Sequence, residues 1–175
     1  MVDLFGDAVR DWMAGEHAPL VIERDDGYMD EQDLDSYFSS FDSFPECEKA
    51  ALGLARGRVL DIGLGPGRVS LHLQGTGLEA VGVDISDNML EVARRRGVRD
   101  AVRMSACDLR FPKGHFQTAV AFGNNFGLCG TPGAVMSMLL RLRDIVSDAG
   151  VCLAESIDPL ATEKPEHLKY HERNR

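Results

Sequence analysis

An α/β fold is predicted for this chain: a doubly wound, mainly parallel sheet of order 3-2-1-4-5 with helices on both faces. Three observations carry that prediction. The apolar run Val59-Leu60 closes on Asp61 and Ile62 and then breaks into glycines at alternate positions, Gly63, Gly65 and Gly67. Seventeen residues past Gly67, a second apolar run, Ala80 to Val83, ends in Asp84. Strand-like runs then alternate with helix signals as far as residue 157, the pattern that parallel strands joined by right-handed crossovers produce.

The glycine loop has a physical purpose. A strand must turn sharply into a helix while its backbone approaches a ligand, and glycine alone tolerates positive φ with no Cβ in the way. Amides of the loop and the helix N-terminus then face the ligand. Asp84 stands at the end of the second strand, where a carboxylate can accept hydrogen bonds from ribose hydroxyls. The unit is built to hold an adenosine-bearing cofactor across the carboxyl ends of the first, second and fourth strands.

The other elements follow in order. Leu4, Phe5, Ala8, Val9, Trp12 and Met13 recur at helical spacing within 3–15, a stripe that reads as packing. Residues 23–35 are rich in Asp and Glu and read as a loop or flexible segment. A helix over 45–56 stops at Gly57. Strands are expected at 58–62, 79–84, 100–105, 117–122 and 151–157. Helices are expected at 67–74, 87–96 and 132–147. Ser86 and Thr131 are N-caps, Pro132 suits a first helical position, and Gly97 suits the residue after a helix. These signals divide the chain into an N-terminal helical or lid segment (1–56), a cofactor-binding core (57–158) and a polar tail (159–175).

Composition narrows the function. The chain has 175 residues and a formal net charge of -9. An acidic chain lacks the basic face that phosphate neutralisation requires, so a nucleic-acid partner is not expected. The run Arg94-Arg95-Arg96 sits at a helix end, where cations complement the dipole, and reads as structural. Cys47, Cys107, Cys129 and Cys152 show neither C-x-x-C spacing nor zinc-site intervals to histidine, so reduced thiols, no metal and a cytoplasmic location are expected. The sequence shows no signal peptide and no membrane span. His72 reads as structural and His115 as exposed. Tyr28 and Tyr37 lie where a lid could form, with surface packing the alternative.

Loop spacing separates cofactor classes. A dinucleotide fingerprint, G-x-G-x-x-G, would place its third glycine at Arg68; here Gly65 is followed by Pro66 and Gly67. The acidic-x-Gly-x-Gly-x-Gly pattern resembles the first motif of the class I S-adenosylmethionine-dependent methyltransferases. Three further segments are similar to that family in the same order. They are Gly82-Val83-Asp84-Ile85-Ser86, Ser105-Ala106-Cys107-Asp108-Leu109, and Phe116 to Asn125 with the loop that faces the reactive methyl.

The resemblance, spanning about Gly57 to Asp158, implies a Rossmann-like methyltransferase fold with S-adenosyl-L-methionine as cofactor. It implies that Asp61 and the Gly63–Gly67 loop hold the methionyl part, that Asp84 takes the ribose hydroxyls and that Asp108 takes the adenine amino group. Ile85 and Leu109 would flank the adenine. Leu64, Ser86, Met89, Gly123, Asn124 and Asn125 complete the expected cofactor-binding set. Each carboxylate has an alternative reading as a turn or helix cap. Ile85 and Leu109 have one as core packing, and the two asparagines one as turn formers. Asn124-Asn125 lacks the prolines that accompany amine methylation of bases. No general base stands out.

The family adds a sixth and a seventh strand for which this sequence gives no signal, so the chain is expected to be truncated or completed by another polypeptide. Its fifth strand would then be an unprotected apolar edge, expected to pair with something, most readily a second copy. The implied activity is methyl transfer to a small-molecule acceptor. The alternatives are a module that binds S-adenosylmethionine or S-adenosylhomocysteine without turnover, and a nicotinamide-dependent oxidoreductase, which Pro66-Gly67-Arg68 disfavours.

Overall fold

The computed structural model of the chain describes residues 2–158 and 161–174. The N-terminal segment contains α1 (Leu4–Met13), a hairpin of β1 (Leu20–Glu23) and β2 (Met29–Gln32), one turn of helix α2 (Asp35–Phe38), and α3 (Glu46–Leu52). The core follows as β3 (Arg58–Ile62), α4 (Arg68–Gly75), β4 (Glu79–Asp84), α5 (Asp87–Arg96), β5 (Asp100–Arg103), β6 (Phe116–Ala121), α6 (Pro132–Ile145) and β7 (Val146–Ala154). The last element is α7 (Pro165–Arg173).

The five core strands form one parallel sheet in the order β5-β4-β3-β6-β7. Counted along the core, this is the order 3-2-1-4-5. Strand β3 is central and covered on both faces, so it reads as a continuous apolar run. On one face Leu60 and Ile62 pack with Phe116, Met138, Leu142 and Ile145 beneath α6. On the other, Val59 and Val120 pack with Val69 and Leu73 of α4 and with Phe44 and Leu52 around α3. Asp61 lies opposite Gly82 on β4 and Val120 on β6, so its carboxyl group is carried into the crevice where the crossovers diverge.

Caps follow the sequence signals. The Ser86 hydroxyl accepts the Met89 amide, and Gly97 closes α5 at φ 106°. Thr131 accepts the Ala134 amide, with Pro132 opening α6. Helix α1 packs on α5 through Val9, Trp12, Met89 and Val92, joined by Leu34.

Several boundaries differ from expectation. The acidic stretch 23–35 is not a loop but the second half of a hairpin, Leu20 facing Gln32 and Glu23 facing Met29. Its loop is Asp25-Asp26-Gly27, closed by the Arg24 amide on the Tyr28 carbonyl, with Gly27 at φ 82°, a conformation suited to glycine, and Asp26 fixed by Arg24. Strand β5 ends at Arg103 rather than 105: the Met104 amide makes the last ladder bond, to the Asp84 carbonyl, and the chain then turns, the Asp108 amide donating to the Ser105 carbonyl. Helix α6 stops at Ile145, and β7 begins at Val146 instead of 151, with an irregularity opposite Phe116 and Thr118. The tail contains α7, which packs on the hairpin: Arg24 lies between the rings of Tyr28 and Tyr170, 4.4 and 4.2 Å from their centroids. Tyr28 thus belongs to that cluster rather than to a lid. His115 is half-buried rather than exposed, stacked on Phe111. His72 stacks on Phe41 and is structural as expected. Among the described residues, the outer edge of β7 has no strand partner.

The arginine run is structural, but through more than the dipole. Arg95 pairs with Glu91 and Arg94 donates to the Ala101 carbonyl. Arg96 donates to the carbonyls of Pro66, Tyr37 and Phe38, tying the glycine loop and α2 to α5. Removing a half-buried cation from three carbonyls leaves acceptors unpaired. Arg96→Met is therefore expected to lower the unfolding free energy by about 2–4 kcal/mol in urea titrations, whereas a change below about 1 kcal/mol would show that the bridge is dispensable.

Candidate functional site

A cavity of about 370 Å³ opens at the carboxyl ends of β3, β4 and β6. Its floor is the turn after β3. The amides of Gly63 and Leu64 both donate to the Val83 carbonyl at 2.9 Å, and the Gly65 amide donates to Asp84 Oδ2 at 2.9 Å. Gly63 is required by close approach: a Cβ there would meet the Asn125 side-chain amide at 2.3 Å. Gly67, at φ 88°, packs with its α carbon toward Val98 and Ala93, behind the loop rather than on the cavity wall.

Of the residues expected from sequence, Asp61, Gly63, Leu64, Gly65, Asp84, Ile85, Ser86, Met89, Gly123 and Asn125 line this one cavity. Gly67, Asp108, Leu109 and Asn124 do not. Asp108 is turned outward onto the Arg110 guanidinium, 2.9 Å from Nε, which holds its carboxyl below the ordinary carboxylate range. Leu109 is buried in the core under α6. The wall at that end is instead Met104, Ser105, Ala106 and Cys107. Asn124, at φ 65°, accepts the Ile157 amide through Oδ1. The Asn125 amide group donates to the carbonyls of Ile62 and Gly63, so this asparagine also locks the β6 loop onto the end of β3.

The carboxylates differ in state. Asp84 accepts the Gly65 amide on one oxygen and the Ser86 amide on the other, which leaves lone pairs on both for further donors. Asp61 is buried, and its one hydrogen bond from a side chain comes from Ser70 Oγ at 2.7 Å. Burial raises it to about 6, against the opposing pull of Ser70 and Arg68, with Asp84 adding to the rise. A buried carboxyl bordering a cavity with acceptor capacity left over suits a cationic partner.

Sequence reasoning missed Asp3, Phe5, Arg68, Cys107 and Leu128 as cavity residues. Asp3 caps α1 at the Gly6 amide and accepts the Ser86 hydroxyl, which brings α1 over the second strand's loop. Phe5 meets Tyr37 edge to face at 5.3 Å, forming an aromatic wall; burial raises the Tyr37 phenol. The N-cap pattern at Asp3 was a readable signal. Nothing local marked Phe5 or Leu128.

Cys107 and Cys129 form a disulfide across a sequence separation of 22, Cα–Cα 5.5 Å, which corrects the expectation of reduced thiols at these two positions. Topology brings the loops after β5 and β6 together, so no C-x-x-C spacing is needed. Cys47 and Cys152 are free. Glu155, at the end of β7, accepts the Gly123 amide at 2.6 Å and braces the same loop. Among the described residues no cluster of His, Cys, Asp and Glu could hold a metal ion, and no helix is long and apolar enough to cross a membrane.

A switch-point cavity with a glycine turn below it, one carboxylate at the end of each adjacent strand and an apolar wall above defines a protein built around an adenosine-bearing cofactor. Comparison with known proteins makes that specific. Residues 59–150, more than half of the chain, match the methyltransferase domain family, and the chain belongs to it. A solved S-adenosylmethionine-dependent methyltransferase from Bacteroides fragilis, in complex with S-adenosyl-L-homocysteine, is 28% identical with a TM-score of 0.80. The match covers 93% of this chain and 68% of that one. The YcgJ protein from Bacillus subtilis is 25% identical with a TM-score of 0.52, covering 71% of this chain and 57% of that one. A possible histamine N-methyltransferase from Thermotoga maritima shares the fold at 23% identity, TM-score 0.55, covering 73% and 56%. No curated protein matches. The cofactor is S-adenosylmethionine.

Two outcomes are expected. Native Asp61 keeps its proton to higher pH than the unfolded chain does. Its contribution is therefore full below about pH 4 and is lost as the pH rises to about 6, a span worth about 3 kcal/mol. Asp61→Asn should be more stable than the parent at pH 7 and level with it at pH 4, by urea titration, while binding S-adenosylhomocysteine more weakly. Equal stability at both pH values would show that the carboxyl is not perturbed. A thiol titration of the unfolded, unreduced protein should count two thiols, Cys47 and Cys152, and four after reduction. A count of four before reduction would mean that the bridge is not formed in solution.

Proposed function

We propose that this chain transfers the methyl group of S-adenosylmethionine to a small-molecule acceptor. The observation that carries the reading is the continuity of the cavity. Cofactor-type groups, Asp61, Gly65 and Asp84, line the same cavity as the apolar side chains of Phe5, Phe122 and Leu128 and the ring of Tyr37. Its volume lies in the range of small-ligand pockets, and the acidic chain favours a small acceptor over nucleic acid.

The cofactor supplies a methyl already activated on a sulfonium, so the protein's part is binding, alignment and exclusion of water. The glycine turn fits it: Gly65 and Gly123, both at positive φ, face open space where a side chain would intrude. In this reading Asp61 accepts the ammonium and Asp84 the ribose hydroxyls. Ile85 and Met104 flank the base, beside Ser105 and Cys107. Gly123, Asn125 and Leu128 border the methyl. The aromatic pair Phe5–Tyr37 closes the acceptor side against water. Bound there, the cofactor would give its methyl group to the acceptor and be left as the thioether holding the bonding electron pair, and the acceptor's proton would pass to solvent or to a neighbouring carboxylate.

A ligand at 100 times its dissociation constant adds about 2.7 kcal/mol to the folded state. S-adenosylmethionine and S-adenosylhomocysteine are expected to raise Tm by several degrees and NAD is not. Release of S-adenosylhomocysteine with a panel of small amines, phenols and thiols tests the transfer. Cofactor binding without turnover on any acceptor would make the chain a binding module, and a shift with NAD alone would overturn the reading.

A further inference from the structure

The loops after β5 and β6 both line the cavity, and one covalent bond joins them. The first loop contributes Met104, Ser105, Ala106 and Cys107, and the second contributes the exposed Leu128. The disulfide runs from Cys107 to Cys129, the residue next to Leu128. Its two sides are held differently. On the β5 side, the Met104 amide bonds the Asp84 carbonyl and Ala106 is buried in the core. Arg141 of α6 fastens the far end of that loop through the carbonyls of Leu109 and Phe111. On the β6 side, Asn125 ties the loop to the sheet through the carbonyls of Ile62 and Gly63. Beyond it, among the described residues, the backbone hydrogen bonds of 126–130 all close within 124–131. The segment is Phe126-Gly127-Leu128-Cys129-Gly130, with no polar side chain to add another bond. Both glycines face open space. Apart from the disulfide, the segment is held by Phe126 and Cys129, which pack part-buried on the core.

We propose that the Cys107–Cys129 disulfide is a redox clasp on the cofactor cavity. Oxidised, it keeps Leu128 on the cavity wall; reduced, it releases residues 126–130 and weakens cofactor binding. Cys107 is exposed, whereas Cys129 is half-buried with its sulfur 3.9 Å from that of Met138, so an incoming thiolate reaches the Cys107 sulfur. Its attack forms a mixed disulfide on Cys107, breaks the bridge and leaves Cys129 as a thiolate that takes up a proton. A second thiol, or the second sulfur of a dithiol, then attacks the incoming sulfur and frees Cys107 as a thiol. The reductant leaves as a disulfide, oxidised by the two electrons that the bridge gains. The inference rests on the assignment of this cavity to S-adenosylmethionine and adds to it a control by thiols.

A bridge that merely staples the fold would change stability and leave the affinity of the folded protein alone. Calorimetry with S-adenosylhomocysteine separates the two roles, at a temperature where circular dichroism shows each form folded. It compares the oxidised protein, the protein reduced by dithiothreitol, and the variant C129A, which leaves the cavity lining in place. A freed segment that is closed about one-fifth of the time lowers apparent affinity about fivefold. The reduced protein and C129A are expected to bind that much more weakly. Reoxidation with glutathione disulfide should restore the wild type, and C129A should ignore dithiothreitol. Amide exchange should quicken on reduction at Gly127, Leu128 and Gly130 but not at Gly63 and Leu64. Reduced protein with all four thiols titratable and an affinity within about twofold of the oxidised form overturns the clasp. If C129A does not fold, the oxidised and reduced wild type decide. If reduction itself unfolds the wild type, the bridge is a staple and the proposal falls. Failure of both forms to bind S-adenosylhomocysteine, whatever the exchange at Leu128, overturns the cavity assignment instead, and the proposal with it.

Discussion

The site depends on one carbonyl oxygen. Val83, the penultimate residue of β4, accepts both the Gly63 and the Leu64 amides. These two bonds carry the ladder between β3 and β4 past the last strand residue and fold the chain back over the sheet. The Asp84 carboxylate then takes the Gly65 amide, so the second strand holds the turn that leaves the first. Everything facing the cavity follows from that grip. The turn starts α4 at Arg68, sets Ser70 beneath Asp61 and leaves Gly63 open to Asn125. A parallel sheet positions strand ends; this local bonding converts two strand ends into a ligand-shaped surface.

The same residues thus serve structure and chemistry. Asp84 both caps a turn and keeps lone pairs for a ligand, so the alternative readings of it as cap and as ribose acceptor are compatible. Asp61 is different. Its burial works against ionisation, and the protein tolerates this because Ser70 and Arg68 offset part of the effect. Charge at the site is a balance among Glu48, Arg68 and Asp61, drawn from three separate elements, with Glu48 holding Arg68 at 2.6 Å.

The core was legible because its signals are local and repeated. Alternating glycines, acidic strand ends, Ser86, Gly97 and Thr131-Pro132 each fix their own neighbourhood, and the strand order follows from the crossovers. The segment before residue 57 was harder to read. The Asp25-Asp26-Gly27 loop of the hairpin was submerged in an acidic run, and its strands expose Val21, Ile22 and Met29, so no alternating buried face announced them. Asp108 lies off the cavity lining. Its neighbour Arg110 captures the side chain, an interaction that a position-by-position match does not include. The pairing of Cys107 with Cys129 is a tertiary fact, decided by which loops meet at the sheet's carboxyl edge. Phe5 and Tyr37 reach the cavity through the docking of α1 on α5, which no local pattern encodes.

The packing of α7 on the hairpin has a kinetic side. Arg24 with Tyr170, and Asp25 with Arg173 at 2.9 Å, join residues nearly 150 positions apart. Closing so long a loop is entropically unfavourable, and α7 contributes no buried residue to reward it. The cationic and aromatic clasp is therefore expected to form late and open early, with faster amide exchange on that flank than at the cavity floor.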